Sequence, residues 1–154
     1  MNGLSIRLYP DPILRKVCAP VTLFDARLAG LAQNMLDMMY AAPGRGLAGP
    51  QVGVPERVFV MDATWKDGTP SPVVCVNPQI IVASAVTAAG EEGCLSIPDT
   101  PCLVRRPVAI TLAWQDAKGI RHSADLEGAA ARIAQHELDH LDGILCIDRT
   151  EAAA

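Results

Sequence analysis

The chain has 154 residues, half of them hydrophobic but only 4% aromatic, and a net charge of −4. That length suits one domain over 1–154, with a core of Ala, Val, Leu and Ile. The charge gives no support for direct nucleic-acid binding, and no apolar run of about twenty residues exists to cross a membrane.

The opening MNGLSIRLYPDP carries no apolar signal segment. Five cysteines, odd in number and irregularly spaced, do not make a disulfide framework. They suit a reducing cytoplasm, where a thiolate metal ligand is also protected. The first predicted element is an amphipathic helix over residues 25–41, with Leu28, Leu31, Ala32, Met35, Met38 and Met39 at helical spacing. Its methionines read as core filling, and Pro43 and Gly44 end it. Gly44, Gly46 and Gly49 then make a flexible stretch. No Lys–Ser/Thr pair follows, so it is not a phosphate loop; taken alone it reads as an ordinary turn. Residues 57–62 form a strand, residues 64–72 a polar loop rich in Gly and Pro, and residues 73–82 a strand interrupted at Asn77–Pro78. Glu91 to Pro98 is a loop or strand that Pro98 closes. Residues 108–114 are another strand, turning at Asp116 to Gly119.

The last element carries the chemistry. Gln135, His136, Glu137, Leu138, Asp139 and His140 contain HExxH. Leu126, Ala130, Ile133, Ala134, Leu138 and Leu141 recur around it at helical spacing, Asp125 or Ser123 is placed to cap the start, and Gly143 to stop it. Histidines at i and i+4 share one helix face, within reach of one metal ion. Glu137 is rotated by about 100° from His136, so it flanks the metal and can take a proton from water held there. An Ala-rich helix of this kind is buried, and two buried imidazoles need partners. A catalytic site needs a third protein ligand. Cys146 completes HExxHxxGxxC, the metzincin spacing with Cys for the last His, but all five methionines lie at position 61 or earlier, leaving no Met-turn downstream. Cys94 is the other candidate. Strands around a buried helix predict an α+β fold: small mixed or antiparallel sheets packed around a central HExxH helix, plus an N-terminal helix.

Three separated stretches resemble the signature motifs of the peptide deformylases: GRGLAGPQVG over residues 44–53, EEGCLSIP over residues 91–98, and QHELDHLDG over residues 135–143. Tyr9 to Arg15 and the pair Asp148–Arg149 also fit, so the resemblance covers nearly the whole chain. It implies metal ligands Cys94, His136 and His140, with Glu137 as base. It gives the Gln51 amide and the Leu95 backbone N–H to the developing oxyanion, and the Gly46 carbonyl to the substrate. It implies one divalent ion, Fe²⁺ in the cell, with Zn²⁺, Ni²⁺ or Co²⁺ as substitutes, and formylmethionyl nascent chains as substrate. Many bacterial relatives continue into a C-terminal helix that docks on the ribosome; this sequence stops eleven residues after Gly143, so only transient ribosome contact is expected. The rival functions are a short zinc peptidase using Cys146, and a paralogue that binds metal and peptide without turnover.

Other residues have plainer readings. Cys18, Cys75, Cys102 and Cys146 read as small core residues, and His122 and Glu91 as surface groups. Glu92 is either a partner of the Cys94 loop or a wall of the substrate pocket. Asp139 is a structural partner of an arginine or a neighbouring ligand. Arg45, Gly49 and Arg132 depart from the family pattern. Arg45 and Arg132 are expected beside the side-chain pocket, with their stems as wall and their heads in water, because no carboxylate partner is evident.

Overall fold

The computed structural model describes residues 4–151. Its elements in chain order are α1 (Ala26–Ala41), β1 (Gly46–Ala48), β2 (Val58–Met61), β3 (Val73–Ala83), β4 (Thr87–Cys94), β5 (Ile97–Pro107), β6 (Ala109–Gln115), β7 (Arg121–Glu127) and α2 (Gly128–Leu141). Five strands form one antiparallel sheet in the order β1-β2-β3-β6-β7, and β4 and β5 form a separate hairpin. The α+β expectation holds. The HExxH helix α2 is central, packing on β1, β2, β5, β6 and β7.

Helix α1 forms where its periodicity places it. Asp25 is its N-cap, with a carboxylate oxygen 3.1 Å from the Leu28 N–H. Leu28, Leu31, Ala32, Met35, Leu36 and Met39 turn inward against Leu47, Val58, Val60 and Val76. Strand β2 is buried at all four positions. Strand β3 continues through Asn77–Pro78 by slipping register between Val76 and Gln79. Asn77 takes φ +50° there, and its side chain closes both a donor and an acceptor bond with the Val21 backbone. The loop after β2 is organised by the buried Asp62. Its carboxylate accepts from Tyr40 Oη at 2.6 Å and from the backbone N–H groups of Thr64, Trp65 and Ser71.

Three boundaries differ from expectation. Asp125 and Ser123 do not cap α2; both lie in β7, paired across to Thr111 and Ala113. Leu126 belongs to that strand too, opposite Ile110. It imitates helical spacing because the strand runs directly into the helix, with Gly128 at φ +59° making the bend. Pro98 does not end its segment. Strand β5 runs through Pro98 and Pro101, as a two-stranded hairpin allows, because a residue without an N–H is tolerated on an unpaired edge.

Candidate metal centre

Strand β4 and helix α2 bring three ligand atoms together. Cys94, His136 and His140 are buried, and their sulfur and ring nitrogens all lie within 4.8 Å of one another. Cys94 Sγ is 3.5 Å from His140 Nε2, and the two imidazole rings are 5.0 Å apart at their centroids. One thiol and two imidazoles converging at this spacing fit a single divalent ion. The orientation of His136 supports that fit. Its Nδ1 is 2.9 Å from Glu92 Oε1, which fixes the ring and leaves Nε2 to bind. Cys146 is elsewhere. Its sulfur sits 3.4 Å from that of Cys102, in an apolar cluster with Leu14, Val104 and Leu145 that backs onto Cys94, and it is not among the converging ligand atoms, so it is a core residue.

Glu137 lies beside the ligands and is almost wholly buried. Its Oε1 has no hydrogen-bond partner, a costly arrangement in the absence of a functional role. Burial pushes the carboxyl up to about 7, while His136 works in the opposite sense. Strand β1 closes over it: a β-carbon at Gly46 would come within 2.5 Å of Glu137 Oε2. The glycine is therefore a seat for the carboxylate, a role its sequence did not suggest. That strand is held by Trp65 Nε1–H donating to the Gly44 carbonyl at 2.9 Å, and by Asp62 N–H donating to the Arg45 carbonyl at 2.9 Å.

Gln51 stands on a short 3₁₀ turn, Gly49–Val52. Its Oε1 accepts from the Ala48 N–H at 3.0 Å, and its Nε2 donates to Ser96 Oγ at 3.1 Å and approaches Cys94 Sγ at 3.7 Å. The amide is thus aimed at the ligand cluster. The N-terminal segment braces both neighbours of the centre: Arg7 N–H donates to the Gln51 carbonyl at 2.7 Å, and Tyr9 N–H to the Ser96 carbonyl at 2.8 Å.

Glu92 is a buried hub. Arg106 donates to both its oxygens at 2.6 and 2.9 Å, Arg132 at 2.7 Å, and His136 faces it. Burial opposes ionisation, but hydrogen bonds from Arg106 and His136 overcome it and hold the carboxyl at about 2. Asp139 has the structural role expected of it, bound by Arg106 and Arg149. Arg106 and Ser96 are buried polar residues near the centre that the sequence did not single out. Each lies on or beside the hairpin, whose alternation of inward and outward residues went unread. Expectation and structure part at Arg132. Arg45 is exposed, as expected, but the part-buried Arg132 head is not free in water; Glu92 is its partner carboxylate.

A cleft of about 730 Å³ opens onto these groups. Arg45, Gly46, Gln51, Glu92, Cys94, Leu95, Arg132, His136 and Glu137 all line it, so every predicted site residue but His140, which lies behind the others, faces one space. Lys66 and residues 99–101 complete its rim. The family model described as Polypeptide deformylase matches residues 4–154.

The chain belongs to the peptide deformylase family.

Its relatives in this family agree closely over most of their length. The peptide deformylase of Rhizobium meliloti is 46% identical over 141 residues, which is 92% of this chain and 81% of that one. The crystal structure of peptide deformylase from Thermotoga maritima superposes with a TM-score of 0.91 at 43% identity, covering 97% of this chain and 98% of that chain. A peptide deformylase from Synechococcus elongatus, solved with actinonin, gives 0.93 at 36% identity, covering 98% and 82%. Members of the family are metal-dependent hydrolases, and the Cys94–His136–His140 cluster is a group that could hold such a metal in this chain.

Proposed function

We propose that residues 1–154 act as one catalytic domain, in the cytoplasm, that removes the N-formyl group from N-formylmethionine of nascent polypeptides and releases formate. The observation that carries this is the buried, unpartnered Glu137 carboxylate beside three converging ligand atoms at the floor of the cleft. Cys94, His136 and His140 hold one divalent ion. The resemblance supports Fe²⁺, with Zn²⁺, Ni²⁺ or Co²⁺ able to replace it; ligand softness does not choose among them. When bound, the ion supplies Lewis acidity and lowers the pKa of water.

The protein's own groups do the rest. Glu137 takes the proton of the attacking water and returns it to the departing nitrogen as the C–N bond breaks. The Gln51 amide, held by Ala48, and the Leu95 N–H face the oxygen on which negative charge develops. The Gly46 carbonyl accepts from the substrate backbone. Glu92 orients His136. The partners are formylmethionyl chains, met during transient contact with the ribosome.

Formate release from formyl-Met-Ala-Ser by the metal-loaded protein tests the reaction. The expected products are formate and Met-Ala-Ser in equal amounts. Cleavage inside the peptide would instead indicate a peptidase, and binding without turnover a paralogue that has lost catalysis.

A further inference from the structure

Two of the cysteines face each other. Cys102 on β5 and Cys146 on the short 3₁₀ turn Cys146–Asp148 are both buried, and their sulfurs lie 3.4 Å apart, in van der Waals contact. The Cys146 S–H donates to the Cys102 sulfur, and the Cys102 S–H donates to the Thr100 carbonyl at 3.7 Å. Neither sulfur belongs to the ligand cluster, and Cys18 and Cys75 sit in a different part of the core. The segments that carry the pair are already joined. Val104 bridges to Thr150, Glu151 N–H donates to the Leu103 carbonyl at 2.7 Å, and Thr150 Oγ1 donates to the Cys146 carbonyl at 3.2 Å. The two sulfurs are thus held together by backbone on both sides, which makes a reaction between them effectively unimolecular.

We propose that Cys102 and Cys146 form an oxidative modification site, a dithiol that a small hydroperoxide converts to a reversible disulfide. Cys102 follows Thr100 and Pro101 on the rim of the cleft, which gives the peroxide its approach. Burial and the bond to Cys102 push the Cys146 thiol up, so Cys146 keeps its proton and reacts second. The Cys102 sulfur takes one oxygen from the peroxide. The O–O bond breaks and water leaves, giving a sulfenic acid. The Cys146 sulfur then displaces that oxygen: the S–S bond forms, the S–O bond breaks, and the Cys146 proton leaves with the oxygen as a second water. Together the two thiols lose two electrons, and the peroxide gains them. An excess of small thiol reverses the step by exchange. The link closes a loop through β6, β7 and α2, so both ligand histidines fall inside one covalent ring. Restricting the unfolded chain over so long a loop stabilises the fold.

The test treats the zinc-loaded protein, whose ion is redox-inert, with hydrogen peroxide, alkylates the remaining thiols and maps the products without reduction. Cleavage before aspartate isolates Cys102 in residues 99–115 and Cys146 in residues 142–147, and leaves Cys94 in residues 67–98. The expected result is one cross-link between the first two fragments, two hydrogens lighter than their sum, with Cys94 unlinked and metal content unchanged. Dithiothreitol is expected to separate them. The oxidised protein should also unfold at a urea midpoint higher by about 1 M or more than the reduced protein, and neither Cys102→Ala nor Cys146→Ala should show that shift. Recovery of the two fragments unlinked, as free thiols or as sulfinic acids, overturns the proposal, and so does a link to Cys94. Should both variants fail to fold, the wild-type mapping decides alone. An unchanged midpoint in the linked protein overturns the stabilising role.

Discussion

Two buried thiols compete for the role of ligand, and their neighbours separate them. Cys94 faces both histidines, whereas Cys146 faces Cys102 and an apolar cluster. Cys94→Ala is expected to lose most bound metal and nearly all activity, while Cys146→Ala keeps its metal. Elemental analysis of the two purified variants decides this; a metal-replete Cys94→Ala would sink the ligand set. Glu137 poses a different question, because its carboxylate lies next to the ligands without belonging to their cluster. Glu137→Gln keeps the shape and removes the base, so it should retain metal and lose on the order of 10²–10⁴ in kcat. Loss of the metal from that variant would make Glu137 a ligand instead. The convergence of Cys94, His136 and His140, with Glu137 beside them, was legible from the HExxH spacing and the motif around Cys94. Glu92 was legible as a position but not as a role, because its three partners come from β5 and α2, two separate parts of the chain.

Elements with a clean apolar rhythm were readable. Helix α1 and strands β2, β3 and β6 lie where Leu28 to Met39, Val58 to Met61, Val73 to Val82 and Ala109 to Trp114 place them. The β4–β5 hairpin was not. Its first strand, TAAGEEGC, is small and polar, and its second is punctuated by Pro98, Pro101 and Pro107, so neither alternates clearly enough to register. Short β1 was hidden for another reason: a glycine-rich stretch reads as a turn, and only its pairing with β2 shows a strand. That strand has its own consequence for catalysis. Since a β-carbon at Gly46 would fall 2.5 Å from Glu137 Oε2, Gly46→Ala must displace the carboxylate or β1 itself. A displacement near 1 Å at a reacting group costs roughly 10²-fold. The expected result is a kcat loss of about that size with metal content unchanged, read by steady-state kinetics and metal analysis together. An unaltered kcat would show that the carboxylate does not depend on this seat.

Across the whole molecule, Asp62 ties α1, β2, the loop after it and, through Trp65, the strand over the site. Burial raises its carboxyl, but the bonds from Tyr40, Ser71, Thr64 and Trp65 outweigh burial and hold it below the ordinary carboxylate range. A lowered folded-state value means that the ionised form is favoured on folding. Its stabilisation is complete above the unfolded value of about 3.9 and is lost as pH falls through the folded value. Urea midpoints of wild type and Asp62→Asn should therefore differ most near pH 7 and converge toward pH 3. A constant gap would show that the charge of Asp62 contributes nothing.

The bonds from Arg7 and Tyr9 to the carbonyls of Gln51 and Ser96 make the start of the chain a clasp across two segments that are otherwise joined only through side chains. A chain lacking the residues up to Tyr9 would lose that clasp while keeping every strand, both helices and the Cys94, His136 and His140 cluster. Such a shortened protein would lose the aim of the Gln51 amide before it lost any bulk secondary structure, so turnover would report the deletion earlier than circular dichroism.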